Sequence, residues 1–242
     1  MTVTPASPSP VALVTGGSRG FGRAVVRALV ARGWRVVTDA RDPAGLLDAF
    51  AGALDGSVIA IAGDVAAPEH RAELLAAIDR LGRVDLLLNS ASTLGPTPLP
   101  SLATYPVEAL AHVFAVNAIA PLALAQELLP RLAECRGVVV DISSDAAVDA
   151  CEGWGGYGAS KAALDHLTAV LAVEQPRVRW YAFDPGDMRT QMHQDAFPGE
   201  DISDRPLPET VVPALLRLLD ERPPSGRHRA ADLLARIPAE LA

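Results

Sequence analysis

The sequence predicts an α/β protein built on one doubly wound, parallel β-sheet with helices on both faces. Short runs rich in valine, isoleucine and leucine alternate with alanine- and leucine-rich helical patterns along almost the whole chain. The apolar runs do not alternate strictly between polar and apolar residues, which indicates strands that are buried on both faces. Because strands and helices alternate, we expect parallel strands joined by right-handed crossovers.

Six strands and five helices are expected, followed by one segment that breaks the pattern. The strands lie near 11–15, 35–39, 57–62, 84–89, 137–142 and 177–183, and the helices near 21–32, 43–54, 68–81, 104–134 and 157–174. The exception is 187–209, which is polar, acidic and interrupted by prolines. Ligands of such sheets bind beyond the carboxyl ends of the strands, so this segment either covers a site or is a plain solvated loop.

Length, composition and charge indicate one globular domain with a small-molecule partner. The chain has 242 residues, of which 50% are hydrophobic and 21% charged. Residues 1–10 are expected to form a flexible tail without the features of a signal peptide, which leaves 11–242 as the domain. The net charge of −8 argues against nucleic acid or an anionic membrane surface as a partner. No apolar run approaches the roughly 18–20 residues of a membrane span.

The cysteines and the absence of metal-ligand spacing narrow the chemistry. Cys135 and Cys151 form no spacing motif and are expected to be reduced and structural, as in a cytoplasmic protein. No cluster of histidine, cysteine and carboxylate residues in the sequence has the spacing of metal ligands. We therefore expect no metal site.

A glycine-rich turn joins the first predicted strand to the first predicted helix. Gly16, Gly20 and Gly22 have the spacing G-x-x-x-G-x-G within VALVTGGSRGFGRAVVRALV. Residues without a Cβ atom let the turn close and let the backbone approach a pyrophosphate at the helix N-terminus, where free N–H groups favour an anion. At this place in a doubly wound sheet, the turn predicts a dinucleotide site.

A second motif, GWGGYGASK at 153–161, lies at the start of the last predicted helix. Tyr157 and Lys161 are four residues apart, so their side chains lie on the same helix face. A free phenol has a pKa of about 10, and a cation held beside it lowers that pKa. From this stretch alone, the pair is either a general acid/base or an ordinary surface pair.

Taken in order, the motifs resemble those of the short-chain dehydrogenases/reductases over nearly the whole chain. The matching stretches are TGGSRGFG at 15–22, DV at 64–65, NSAS at 89–92, Asn117, DISS at 141–144, YGASK at 157–161 and DPGDMRT at 184–190. NSAS departs from the family's N-N-A-G because Ser92 replaces the final glycine. The resemblance implies a Rossmann-like fold and a nicotinamide-dependent oxidoreductase that acts on alcohols and carbonyls. It makes Tyr157 and Lys161 the acid/base pair.

The resemblance also implies which residues form the site. The catalytic residues would be Ser144, Tyr157, Lys161 and Asn117. The cofactor-binding residues would be Thr15, Gly16, Ser18, Arg19, Gly20, Phe21, Gly22, Arg41, Asp64, Val65, Asn89, Lys161, Pro185, Gly186, Met188 and Thr190. In these roles the serine and tyrosine hydroxyls hold the carbonyl, and the lysine supports both the phenol and the nicotinamide ribose. The helix asparagine supports a proton relay to that lysine.

The end of the second predicted strand bears on the choice between NADP and NAD. Members of the family that prefer NAD usually carry an acidic residue there, and the matching position is Ala40, followed by Arg41. Arg19, in the glycine turn, adds a second cation where a 2′-phosphate would lie. We therefore expect NADPH. Asp39 is the alternative, because a register shifted by one residue would make it the carboxylate that binds NAD.

Within the family, several stretches resemble sepiapterin reductases, with one departure. The shared features are Phe21, the pair at 153–154, EQP at 174–176 and SG at 225–226. Sepiapterin reductases anchor the pterin through an aspartate, and the matching residue here is Ala230. Asp232 is two residues further on, and on a strand it would face the same side but be displaced by roughly 6–7 Å. The resemblance therefore implies a small ketone or diketone as the substrate, and leaves open whether Asp232 substitutes for the anchor.

Further residues are candidates for the substrate pocket. Leu94, Trp154 and Met192 are expected to line it, whereas Met188 and Phe197 either line it or fill the core. His193 is expected to be an ordinary loop histidine. The resemblance further implies a homodimer or homotetramer. Two other functions remain open, a 3-oxoacyl thioester reductase and a non-catalytic NADP(H)-binding sensor.

Overall fold

The computed structural model describes residues 9–51 and 56–235, and its described part contains a seven-stranded, fully parallel β-sheet. The strands are β1 (Val11–Thr15), β2 (Arg35–Ala40), β3 (Val58–Ala62), β4 (Leu86–Asn89), β5 (Val138–Ile142), β6 (Arg179–Asp184) and β7 (Gly226–Arg229). Their order across the sheet is β3-β2-β1-β4-β5-β6-β7. From β1 the chain adds β2 and β3 on one side of the sheet, and then adds β4 to β7 on the other side. Ligands of such folds bind at this change of side, between the carboxyl ends of β1 and β4.

Helices cover both faces of the sheet, which confirms the predicted doubly wound architecture. They are α1 (Gly20–Ala31), α2 (Pro43–Phe50), α3 (Pro68–Leu81), α4 (Val107–Phe114), α5 (Ala120–Cys135), α6 (Gly155–Glu174), α7 (Gln191–Ala196), α8 (Pro208–Glu221) and α9 (Ala230–Leu234). Buried residues of α1, α2 and α8 form one apolar core with one face of the sheet. Buried residues of α3 and α5 form a second core with the other face.

A long apolar helix runs from Val107 to Cys135 and is interrupted by one π-helical turn, Ala115–Ile119. By length and composition it could cross a membrane, although no apolar stretch of that kind was expected from the sequence. Leu124, Leu128 and Leu132 are fully buried against the sheet. The helix is therefore a core helix of this domain. The π turn is the unpredicted feature, and π turns are frequent at functional sites.

The C-terminal third differs most from the prediction. β7 was not expected, because its sequence GRHR is short and polar; it lies at the sheet edge beside β6. The predicted irregular segment 187–209 contains α7 and the start of α8, neither of which was predicted. Two predicted regions lie partly outside the described residues: 1–8 of the proposed tail at 1–10, and 52–54 of the predicted helix 43–54.

Candidate active site

The glycine turn after β1 has the geometry of a phosphate cradle. Gly16 and Gly20 have positive φ angles of 73° and 55°, a conformation that L side chains rarely adopt. A Cβ atom on Gly22 would lie 2.3 Å from the carbonyl oxygen of Gly16. Any side chain there would break the turn. The free N–H groups at the start of α1 therefore remain open to an anion.

A cleft of about 590 Å³ runs along the carboxyl edge of the sheet, from this turn to α6 and α7. Most of the residues predicted to bind the cofactor line it: Gly16, Ser18, Arg19, Gly20, Phe21, Gly22, Arg41, Asp64, Val65, Lys161, Pro185, Gly186, Met188 and Thr190. The sequence motifs, which are up to about 170 positions apart in the chain, thus meet at one surface.

Two residues predicted to bind the cofactor, Thr15 and Asn89, are described but do not line the cleft. The Thr15 hydroxyl accepts hydrogen bonds from the backbone N–H groups of Ser90 and Ala91, each at 3.1 Å. The Asn89 amide donates to Oδ1 of Asp141 at 2.7 Å. Both side chains are buried, and they join β1, β4 and β5 below the cleft. Their part in cofactor binding is therefore indirect, through the support of these strand ends.

Tyr157 and Lys161 lie on the buried face of α6 and line the cleft. The lysine ammonium lies 5.6 Å from the centre of the tyrosine ring. It donates a hydrogen bond of 2.7 Å to the carbonyl of Ile142, at the end of β5. With only 8% and 1% of their surfaces exposed, the two residues are not an ordinary surface pair.

Burial dominates the electrostatics of this pair. It raises the pKa of Tyr157 to about 12; hydrogen bonds with Ser144 and Ser92 oppose the shift, and the charges of Asp145 and Asp184 add to it. Burial lowers the pKa of Lys161 to about 8. The pKa of the phenol is therefore raised, not lowered as expected, and the loss of solvent on burial is the largest cause.

Ser144 follows β5 and lines the cleft beside Tyr157. Its hydroxyl donates to Oδ1 of Asp145 at 2.9 Å and accepts from the backbone N–H of Ala146 at 3.2 Å. The turn packs closely on α6, because a Cβ atom on Gly158 would lie 2.5 Å from the Ala146 carbonyl oxygen. Asp145, which accepts the hydrogen bond of the Ser144 hydroxyl, was not among the predicted site residues.

Asn117 is fully buried on the π turn, and all of its side-chain hydrogen-bonding capacity is used. Its oxygen accepts from the Ser92 hydroxyl at 3.1 Å and from the Thr93 N–H at 2.9 Å. Its nitrogen donates to the Thr93 carbonyl and to the Ser160 hydroxyl, both at 2.9 Å. Asn117 thus connects the segment after β4 to α6. Ser92, the departure from the family motif, is part of this network.

At the other end of the cleft, the acidic residue of β2 faces inward. Asp39 is 1% exposed; its Oδ1 accepts from the Gly16 N–H at 2.7 Å, and its Oδ2 lies 3.0 Å from Nε2 of His70 on α3. Arg41 and Arg19 are exposed and line the cleft. Two cations therefore face the dinucleotide end, while both oxygens of the nearby carboxylate already have partners.

The residues predicted for the substrate pocket gather on the opposite side. Leu94, Met192, Met188, Trp154, Phe197 and His193 all line the cleft. The Trp154 ring lies 5.8 Å from the Tyr157 ring and 5.9 Å from that of Phe197. His193 is not a loop residue; it belongs to α7, and its Nδ1 lies 3.7 Å from a carboxylate oxygen of Asp187. An aromatic and apolar wall thus adjoins the tyrosine.

Residues 230–232 are helical, so the strand spacing considered for Ala230 and Asp232 does not apply. Ala230 begins the short helix α9, is 3% exposed and packs in the apolar core. Asp232 is exposed on the same helix. Both residues are described, and neither lines the cleft. In this structure the Asp232 carboxylate therefore lies away from the cleft.

Comparison with known proteins agrees with this geometry. Residues 10–201 match the family model described as short chain dehydrogenase. The chain is 34% identical to a sepiapterin reductase of Rattus norvegicus over 199 residues, 76% of each chain. It is 37% identical to a Pseudomonas aeruginosa 3-oxoacyl-[acyl-carrier-protein] reductase of rhamnolipid biosynthesis over 172 residues, 68% of this chain and 66% of the relative.

A solved structure shows the same fold. It is a short-chain dehydrogenase of Shigella flexneri complexed with NADP, with a TM-score of 0.84, 28% identity and coverage of 92% of this chain and 97% of that one. The fold, the cleft and the match over more than three quarters of the sequence lead to one conclusion. The chain belongs to the short-chain dehydrogenase/reductase family of oxidoreductases, which act on alcohols and carbonyls.

Proposed function

We propose that the protein is an NADPH-dependent carbonyl reductase that reduces a small ketone or diketone through Ser144, Tyr157 and Lys161, supported by Asn117. One observation carries the proposal. A phenol and a serine hydroxyl line a cleft beside an apolar wall, with a buried ammonium directly behind the phenol. A protein that only sensed the cofactor would not need this combination.

The residues present fit a nicotinamide dinucleotide. Positive φ angles at Gly16 and Gly20 hold open a cradle for the pyrophosphate, and Asp64 and Val65 line the cleft where the adenine would lie. Near the other end, the Ser143 hydroxyl lines the cleft and has no hydrogen-bond partner among the described residues. A buried polar atom without a partner is costly unless a ligand satisfies it.

The chain's own residues supply the positioning and the proton. When bound, NADPH supplies the hydride that adds to the carbonyl carbon. The hydroxyls of Ser144 and Tyr157 then donate hydrogen bonds to the carbonyl oxygen, where negative charge develops. Tyr157 gives its proton to that oxygen, and the Lys161 ammonium stabilises the phenolate that remains. Run in reverse, the same residues oxidise an alcohol.

The preference for NADPH rests on residues of the glycine turn and of the carboxyl end of β2. Arg41 and Arg19 face the cleft, and an arginine binds a phosphate through strong, directional hydrogen bonds. Asp39, the residue that would favour NAD, is buried and bound to Gly16 and His70. The Shigella flexneri relative, which was crystallised with NADP, supports the same choice.

The substrate end favours a compact, largely apolar carbonyl compound. Trp154, Phe197 and Leu94 form the wall beside Tyr157, and the segment 187–209 would cover the site through α7. The rat relative is a sepiapterin reductase, but the residue at the matching anchor position, Ala230, is buried away from the cleft. We therefore propose small aryl or alkyl diketones, with sepiapterin as a poor substrate.

A 3-oxoacyl thioester reductase is the second candidate. It is favoured by the Pseudomonas aeruginosa relative, which acts on an acyl-carrier substrate by name. The same catalytic residues would serve it. The two functions differ only in the substrate that must fit beside Trp154, Phe197 and Leu94, at the substrate end of the cleft.

We further propose a cytoplasmic homodimer or homotetramer. Both cysteines are free thiols, as in a reducing compartment. Ile119, Val170 and Val173 are 57%, 39% and 81% exposed on the long helix and on α6. Exposed apolar side chains on neighbouring helices are typical of a face that another subunit covers.

The decisive experiment is to measure NADPH consumption with a panel of small diketones, acyl thioesters and sepiapterin, together with NADPH binding. Turnover of diketones is the expected result. A higher kcat/KM for acyl thioesters would favour the second candidate. Tight binding of NADPH without turnover of any carbonyl would overturn the proposal in favour of a sensor.

A further inference from the structure

Arg227, on the unpredicted strand β7, contacts three separate parts of the site. Its Nη2 donates to the backbone carbonyl of Ser144 at 2.8 Å and to Oδ2 of Asp184 at 3.0 Å. Its Nε donates to Oδ2 of Asp165 at 3.1 Å. Only 26% of its side chain is exposed, and it does not line the cleft.

Each contact belongs to an element that carries a functional residue. Ser144 is the serine that faces the carbonyl. Asp184 precedes the turn at 185–186, and its Oδ1 accepts from the Gly186 N–H at 3.0 Å. Asp165 lies one helical turn after Lys161 on α6. One guanidinium therefore joins the serine turn, the turn expected to hold the nicotinamide, and the acid/base helix.

The charges make this arrangement more than a packing contact. The side chains of Asp184 and Asp165 are 4% and 16% exposed, and a buried carboxylate without a cation is costly. Asp184 also acts on the phenol, since its negative charge raises the pKa of Tyr157. The planar, permanently charged guanidinium binds Oδ2 of each carboxylate and the backbone carbonyl of Ser144 with fixed geometry, which a lysine ammonium would not reproduce.

We propose that Arg227 is a positioning residue for the reduction, acting through Ser144. This rests on the proposed function, in which Ser144 and Tyr157 hold the carbonyl. Within the described residues 227–235, Arg227 thus contacts the backbone carbonyl of Ser144, and none of these residues lines the cleft.

The test compares Arg227→Ala and Arg227→Lys with the control Arg229→Ala, using the best carbonyl substrate of the parent. Arg229 lies two residues along the same strand, its side chain is 61% exposed, and its Nε lies 3.9 Å from Asp184. We expect the Arg227 variants to lose about tenfold to a hundredfold in kcat, the range for one charge-assisted hydrogen bond. The affinity for NADPH should stay within about threefold, and Arg229→Ala should match the parent.

A double-mutant cycle tests whether the effect runs through the serine. If Arg227 acts on Ser144, Arg227→Ala should cost less than about threefold in a Ser144→Ala background. Guanidinium ions added to Arg227→Ala should restore part of kcat, but none in Ser144→Ala. Additive losses without rescue, or an equal loss of kcat and NADPH affinity, would assign Arg227 to fold support only and overturn the proposal.

Amide hydrogen exchange gives a readout that needs no substrate. The Ala147 N–H donates to the same Ser144 carbonyl at 3.1 Å. Exchange at 144–148 should therefore rise in Arg227→Lys with NADPH bound, but not in Arg229→Ala. If the parent reduces no carbonyl, the proposed function fails, and this exchange result alone decides whether Arg227 holds the serine turn. Unchanged exchange together with kcat within about twofold of the parent would refute the inference.

Discussion

Asp39 and His70 form a buried pair under the glycine turn, with 3.0 Å between the carboxylate Oδ2 and the imidazole Nε2. The other carboxylate oxygen accepts from the N–H of Gly16. Both carboxylate oxygens of Asp39 therefore have protein partners under the turn, although the residue also lines the cleft. This relationship bears on two interpretations that the sequence left open, because a register shifted by one residue would make Asp39 the carboxylate that binds NAD.

The first prediction follows for cofactor choice. The parent should prefer NADPH over NADH by at least about tenfold in kcat/KM, since one charge-assisted phosphate contact is worth roughly 1.5–3 kcal/mol. Arg41→Ala should lower the ratio of kcat/KM for NADPH to kcat/KM for NADH, because it weakens the binding of NADPH and leaves that of NADH unchanged. Steady-state kinetics with both cofactors measure this. Equal kinetics in the parent would contradict the assignment of Arg41.

A second prediction concerns Asp39 itself. Asp39→Ala should weaken the binding of NADPH and of NADH by similar factors. It should also lower the free energy of unfolding by about 1–3 kcal/mol, because buried His70 and the Gly16 N–H lose their acceptor. Fluorescence titration and urea unfolding would show both effects. A loss confined to NADH would instead make Asp39 the ribose ligand.

The central strands could be predicted because each is a continuous apolar run. Val11–Thr15 and Val138–Ile142 are fully buried, so no polar face interrupts their pattern. β7 has the opposite character: four mostly polar residues at the sheet edge, held by pairing with β6. Its pairing depends on tertiary context that a local pattern does not contain.

Some residues of the candidate site could likewise be predicted from the sequence, and others could not. Gly22, Tyr157 and Lys161 could be found from the sequence because backbone closure and helix periodicity dictate their spacing. Arg227 could not, since its contacts to Ser144, Asp165 and Asp184 depend on tertiary packing. The inward direction of Asp39 was equally hidden, as it depends on His70 from another element.

The third prediction tests the proton donor. Tyr157→Phe should lower turnover by orders of magnitude and leave NADPH affinity near that of the parent, because the hydroxyl faces the substrate. Lys161→Ala should reduce both, since the ammonium supports the phenol and is placed to hold the ribose. Single-turnover kinetics with binding titrations separate the effects. Substantial activity in Tyr157→Phe would refute the mechanism.

The fourth prediction is a pH dependence set by Lys161. Its pKa is lowered to about 8, so the ammonium is lost as the pH rises through that value, whereas Tyr157, with its pKa raised to about 12, stays protonated. The kcat/KM for reduction should therefore be constant near neutrality and fall above about pH 8 with unit slope. In Lys161→Arg the guanidinium stays charged, so whatever activity remains should not show this fall. A parent profile that is flat to pH 10 would argue against a required ammonium.

The last prediction concerns Ala230, the position at which the resemblance to sepiapterin reductases implies that a carboxylate would create affinity for a pterin. The residue is 3% exposed in the apolar core at the start of α9 and does not reach the cleft. Ala230→Asp should therefore lower the free energy of unfolding by about 3 kcal/mol or more, because it buries an unpaired charge. Ala231→Asp adds the same charge at the exposed neighbouring position and should cost little. Urea unfolding of both variants, with sepiapterin kinetics beside them, provides the measurement. If Ala230→Asp is as stable as the parent and reduces sepiapterin at low KM, then α9 must reach the substrate, and the assignment of the apolar wall around Trp154 as the whole substrate end is wrong.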